Sequence, residues 1–117
     1  DLCVPLNPSA DSQSLRIIQS QVDRLERNID ELNAELTPLR SFVLPGGSPA
    51  SAALHLARTV ARRAERLLVA LAGMQGEVVG GPALKYINRL SDFLFVAARY
   101  ANHKGKADIL WVPGQNR

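Results

Sequence analysis

Hydrophobic residues fall at Leu15, Ile18, Val22, Leu25, Ile29, Leu32 and Leu36, an unbroken alternation of three and four. A strand repeats every two residues and cannot use that spacing, so it predicts a helix over 12–36 with one apolar stripe. Pro38 sets its end, because the residue before a proline is steered away from helical dihedrals. Polar Gln19, Asp23, Arg24, Glu26, Arg27, Asp30 and Glu31 cover the other faces and are solvated or turned toward another subunit.

A second helix is expected over 49–72, with Leu54, Ala57, Ala61, Ala64, Leu68 and Leu71 on its inner stripe. Ser48 is its cap and Pro49 a favoured first residue. Its alanines allow a neighbouring helix to approach closely. Gly73, Gly76, Gly80, Gly81 and Pro82 interrupt the chain. A third helix follows over 82–102, with Ile87, Leu90, Leu94, Ala97 and Ala101 inside and Gly105 beyond its end. Residues 1–11, with Pro5, Asn7 and Pro8, read as a loop. The segment 37–49 reads as an ordered loop, since Phe42, Val43 and Leu44 are too apolar to hang in water. Ile109 to Val112 is a short apolar piece expected to pack back on the bundle.

The pattern therefore predicts an all-α fold, a helical bundle with three long helices in one small domain. Composition supports it: 46% of the 117 residues are hydrophobic, but only six are aromatic. A core of Leu, Ile, Val and Ala suits helices better than a sandwich. A chain of this length should bury roughly two thirds of its unfolded surface. No apolar run is long enough to span a bilayer, and the N-terminus lacks the charged and apolar regions of a signal peptide. Cys3 is the one cysteine and cannot form an internal disulfide, which fits a reducing compartment.

Charge changes the picture. Residues 1–45 carry net −3 and residues 46–117 net +6. The excess points to an anionic ligand near the second half. It does not point to nucleic acid, because the bases form no long run and aromatics do not interleave with them.

Much of that charge sits on the second helix. Arg58, Arg62 and Arg66 are four apart and line one ridge, which His55 begins and which Arg63 and Glu65 flank. Four arginines within nine residues repel one another unless something negative lies against them, and guanidinium suits bidentate capture of phosphate. The ridge is either a polyphosphate site or a solvated, inter-subunit face. Glu65 can pair with Arg62 or orient Arg66. On the third helix Asn88, Asp92, Phe95 and Arg99 share another ridge, and Asn88 and Asp92 are poor helix formers that invite a hydrogen-bonding role. Phe95 is core or ligand contact, and Phe42 is a plug or a contact. His55, His103 and Cys3 give no metal-ligand spacing. A Gly-x-Ser-x-Gly elbow and a Walker A lysine are both absent.

Four segments together resemble the PduO-type ATP:cob(I)alamin adenosyltransferases: residues 31–36 (ELNAEL), 42–47 (FVLPGG), 53–66 (ALHLARTVARRAER) and 86–95 (YINRLSDFLF). The likeness covers about residues 1–113. It implies a cytoplasmic homotrimer of five-helix bundles with active sites between subunits. ATP with Mg and a corrinoid would be the substrates, the 5′-deoxyadenosyl group passing to Co(I) and triphosphate leaving. It assigns Arg62, Arg63, Glu65, Arg66 and Asn88 to ATP, and Phe42 and Phe95 to the corrinoid. Asp92 takes a supporting role. Arg58 and Arg62 are the catalytic candidates, Arg58 pairing with an N-terminal acid across the subunit boundary. A flavoprotein-type reductase and a B12-dependent enzyme are the implied partners.

One departure qualifies this. The family's phosphate-binding Thr-Lys-x-Gly-Asp type loop and first two helices are not in the sequence, so residues 1–117 read as the C-terminal portion of the domain, expected to be inactive or poorly active alone. The rival reading is a non-catalytic helical oligomerisation module built on the stripe from Leu15 to Leu36. A nucleic-acid binder using the arginine helix is a third, and it predicts steep salt dependence.

Overall fold

The computed structural model describes residues 16–39 and 41–114. Their architecture is all-α: α1 (Gln19–Asn33), α2 (Pro49–Ala72) and α3 (Gly81–Ala101). Helix α3 is central and packs on both α1 and α2, which do not touch each other.

Helix α1 is shorter than its hydrophobic repeat. Ile18 is extended, at φ −119° and ψ 160°, and the chain turns helical only after it. Two adjacent β-branched residues, Ile17 and Ile18, favour that extended entry. The Gln21 side chain accepts from the Ile18 N–H at 2.9 Å and stabilises the start. The helix stops at Asn33, and residues 34–36 form a turn before the proline restriction is reached. The expected stretch 12–15 lies outside the described residues, as do Cys3 and the loop at 1–11. Of the stripe, Val22 and Leu25 are buried while Ile18 is 56% exposed.

Helix α2 begins as its cap dictates. The Ser48 side chain accepts from the Ser51 N–H at 3.2 Å, with Pro49 in the first turn. Helix α3 ends in a tight reversal in which His103, Lys104 and Gly105 all have positive φ. Gly105 has to be glycine: a Cβ there would lie 2.8 Å from an Arg99 nitrogen and 2.9 Å from the Thr37 hydroxyl.

The core follows from the central place of α3. Ile87, Val96 and Ala98 are buried there, as are Ala61 of α2 and Val22 and Leu25 of α1. Burying each of the larger side chains stabilises the fold by about 1.5–3 kcal/mol. Small residues dominate the α2 face, where Ser51 and His55 are fully buried. The tail departs from expectation. It pairs with the loop before α2 instead of the bundle, through an antiparallel bridge between Val43 and Leu110.

Candidate functional site

The arginine ridge stands open along the middle of α2. Arg62, Arg63 and Arg66 are exposed, and no ion pair holds them among the described residues. Glu65, between them, turns to α3 and accepts from the Asn88 amide at 2.7 Å. It thus pairs with neither Arg62 nor Arg66. Asn88 is exposed, and the helix geometry brings it to the same surface as the ridge. The result is a concentration of positive charge with an amide at its edge, both on rigid helices. Such a surface can take the oxygens of a polyanion.

Arg58 differs from the other arginines. It is half-buried, its guanidinium lies 5.4 Å from the centre of the Phe95 ring, and its Nε is buried without a hydrogen-bond partner among the described residues. Burial first, and then the charge of Arg62, push its pKa below the ordinary arginine value. Phe95 also meets His55 in a T-shaped contact at 6.2 Å. His55 is 0% exposed and neither ring nitrogen has a hydrogen-bond partner among the described residues. Desolvation lowers its pKa, Arg58 adds to this, and Asp108 acts in the opposite direction. His55 is therefore a neutral ring held in the α2–α3 seam, not a member of the exposed ridge.

Phe42 lies elsewhere. It belongs to the loop that runs into α2, seven residues before Pro49. It is 76% exposed and meets Trp111 in a T-shaped contact at 5.9 Å. Beneath it sits a buried polar network. Arg99 Nε donates to Asp108 at 2.7 Å, and Arg99 Nη2 donates to the Thr37 carbonyl at 2.6 Å. Asn102 donates to the Gly46 carbonyl and to Asp108, while its amide oxygen accepts from the Ser48 N–H. Gly47, at φ +97°, leaves room for that amide; a Cβ would collide with it.

Asp92 is brought to the α1–α3 seam. Arg89 donates to Asp92 and to Glu26 of α1, each at 3.0 Å. Hydrogen bonds to Asp92 first and Glu26 second raise the Arg89 pKa. Asp92 therefore supports helix packing. The open groove there is lined by Glu26, Ile29, Asp30, Arg89 and Asp92, three acids against one base, the wrong sign for phosphate. Among the described residues no cluster of His, Cys, Asp and Glu could hold a metal ion, and no helix is long and apolar enough to cross a membrane.

The structure thus joins Arg58 with Phe95, Glu65 with Asn88, and Phe42 with Trp111. Sequence reasoning missed His55 as the partner of Phe95, the Arg99–Asp108–Asn102 network, and Trp111 beside Phe42. His55 carried a legible signal, since it stands one turn before Arg58 and seven residues before Arg62 on the same face. The other two had none: Arg99, Asn102 and Asp108 meet only because the chain reverses after α3, and Trp111 reaches Phe42 from 69 residues away.

Comparison with known proteins identifies the family. The chain is 52% identical over 117 residues to the corrinoid adenosyltransferase of Mycobacterium tuberculosis (strain ATCC 25618 / H37Rv), covering all of this chain and 60% of that protein. It is 47% identical over 87 residues to the corrinoid adenosyltransferase of Bacillus subtilis (strain 168), covering 74% of this chain and 44% of the relative. Among solved structures, a variant of the PduO-type ATP:corrinoid adenosyltransferase from Lactobacillus reuteri complexed with cobalamin and ATP superposes with a TM-score of 0.76 at 39% identity. That match covers 93% of this chain and 57% of the other. A second variant of the same enzyme, complexed with ATP, gives a TM-score of 0.75 at 39% identity, covering 91% and 59%. The chain spans about 60% of the length of the mycobacterial relatives. With the family model for cobalamin adenosyltransferase matching residues 1–101, this chain belongs to the cobalamin adenosyltransferase family.

Proposed function

We propose that the intact protein transfers the 5′-deoxyadenosyl group of ATP to Co(I) of a corrinoid and releases triphosphate, and that residues 1–117 form the C-terminal portion of its single helical-bundle domain. The observation that carries this is the ridge of Arg62, Arg63 and Arg66, held by no ion pair among the described residues, beside the Glu65–Asn88 pair, on a scaffold that matches solved ATP complexes of a PduO-type enzyme. Reduced cobalt is itself a strong nucleophile, so the reaction asks for no serine or protein base. What develops in the transition state is negative charge on the departing triphosphate. Arginines preplaced on a helix stabilise that charge without reorganising, and losing one such contact costs about 10²-fold or more in rate.

Arg62, Arg63 and Arg66 hold the phosphates, with Mg accompanying the nucleotide. Asn88 is fixed by Glu65 and directs its remaining amide groups to the nucleotide. Arg58, stacked on Phe95, is poised for an acid from a neighbouring subunit of a homotrimer. Phe95 and Phe42 contact the corrinoid, and Phe42 keeps the lower face of cobalt free of its ligand, which eases reduction of Co(II). The cofactor supplies the hard chemistry and the protein supplies geometry and field. The reaction belongs in the cytoplasm, with a flavoprotein-type reductase supplying Co(I) and a B12-dependent enzyme receiving the product.

Calorimetric titration of the intact protein with Mg-ATP tests the reading. Arg62→Ala and Asn88→Ala should each weaken ATP binding, and Arg62→Ala should lower the adenosylation rate about 10²-fold. Unchanged ATP affinity in both variants would return the chain to the rival class of non-catalytic interaction modules. That rival instead predicts loss of assembly when Leu25 or Ile29 is made polar, with no nucleotide effect.

A further inference from the structure

Phe42 has a problem of precision. It is 76% exposed on a loop between two prolines, Pro38 and Pro45, followed by two glycines, and no helix carries it. A ring that must displace a ligand from cobalt has to be held in place, and within the described residues the ring contact comes from Trp111 alone. The main chain enforces the match. Trp111 N–H donates to the Phe42 carbonyl at 2.7 Å, and Leu44 N–H donates to the Ile109 carbonyl at 2.7 Å. Ser41 Oγ donates to the Trp111 carbonyl at 2.6 Å. These bonds set the two segments antiparallel with Phe42 directly opposite Trp111, the register in which cross-strand side chains touch.

Both ends of this clamp are anchored in the interior. The tail leaves from Asp108, whose carboxylate is buried against Arg99 and Asn102. The loop leaves toward α2 through Gly46 and Ser48, both bound by the same Asn102 side chain. Ile109 closes on Gly46 so tightly that a Cβ there would lie 2.9 Å from its Cδ1. Trp111 is nonetheless 44% exposed, on the same side as Phe42, so the indole is positioned without being a core residue. Burial alone does not explain a large aromatic at this place.

We propose that Trp111 is a positioning residue for Phe42: its indole edge fixes the phenyl ring in the orientation that faces the lower side of the corrin. The inference rests on the reading of Phe42 as the corrin-facing aromatic. It assigns a role in the reaction to the tail beyond α3, outside the region covered by the family match. An edge-to-face contact orients a ring as well as stabilising it. The hydrogen bonds and ring contact of Trp111 go to Ser41 and Phe42 and, among the described residues, none to the arginine ridge, so its effect should fall on the corrinoid and spare the nucleotide.

The test uses the intact protein with Mg-ATP and cob(II)alamin, comparing Trp111→Ala, Trp111→Phe and Phe42→Ala with the unaltered protein. Two readouts are taken: the visible and electron paramagnetic resonance signature of cobalt that has lost its lower ligand, and steady-state kinetics with an added chemical reductant that converts Co(II) to Co(I). Trp111→Ala should reduce the ligand-free fraction and lower kcat about tenfold. The KM for ATP should stay within about twofold, since sites that share no partners act independently. Trp111→Phe, which keeps an aromatic edge, should restore most of the signal. If Phe42→Ala loses the signature while Trp111→Ala keeps it, the role of Trp111 is overturned and the reading of Phe42 stands. If Phe42→Ala itself keeps it, both fall together. Should Trp111→Ala weaken ATP and corrinoid alike with no rescue by phenylalanine, its role is general stability and the proposal fails.

Discussion

At the scale of single residues, the most informative side chain is His55. It is a polar ring with no exposed surface and no hydrogen-bond partner for either nitrogen among the described residues. Leaving a buried polar group unsatisfied costs about 1–3 kcal/mol, so the site is tolerated for what it shapes, the edge contact to Phe95. It also makes stability depend on pH. The folded pKa lies below the ordinary 6.5, so on acidification the unfolded chain takes up a proton that the folded chain refuses. The stabilisation is full above the unfolded pKa and is lost as pH falls below it. Urea midpoints of the intact protein measured from about pH 7.5 to 5 should drop toward acid, and His55→Gln should drop less steeply. Equal slopes would mean that the ring is charged in the fold. Arg99 offers a contrast: it read as one more residue of a polar ridge, yet it is 4% exposed and pairs with Asp108.

At the scale of elements, the α2–α3 contact is built from small side chains. Ala61, Ala98, Ser51 and Ser91 are all buried, and their size lets the helices approach closely enough for Glu65 to reach Asn88 and for His55 and Arg58 to meet Phe95. The spacing of the seam is thus what assembles the site. Ala61→Leu should push the helices apart, costing about 1–3 kcal/mol in a denaturant titration. It should also weaken ATP binding, because the Glu65–Asn88 bond at 2.7 Å does not survive a shift of an ångström. An Ala61→Leu protein with native stability and native ATP affinity would show that the seam is slack. Helix α1 contributes differently. It touches only α3, and Arg89 ties it there through Glu26 with both partners about half exposed, so that ion pair contributes modestly.

At the scale of the whole molecule, the outer face of α2 does not look finished. Leu56, Val60 and Leu67 are 67%, 60% and 63% exposed, at spacings of four and seven that place them on one side of the helix. An apolar face of this kind marks a covered surface in the assembled protein. In the proposed reading the rest of the bundle or a neighbouring subunit covers it. Val60→Asp in the intact protein should then lower Tm by several degrees and shift the sedimentation profile. On a free surface the same change would stay within about 0.5 kcal/mol, and the profile would not move.

The sequence by itself determined the all-α class, α2 through its Ser48–Pro49 start, and the arginine ridge, because capping and helical periodicity are local and one helix suffices to line up residues four apart. The resemblance in the 53–66 and 86–95 segments named the family from the same local information. What it overran was α1, whose three-four repeat continued through Ile18 although two β-branched residues hold that point extended. Only the tertiary structure decided that Glu65 bonds Asn88, that His55 meets Phe95, and that the tail returns to Phe42. Each of those joins segments 23 to 70 residues apart, and their geometry is set by how closely helices pack and where the chain reverses after α3. No pattern along a single element carries that distance, since the contact exists only once both elements are in place.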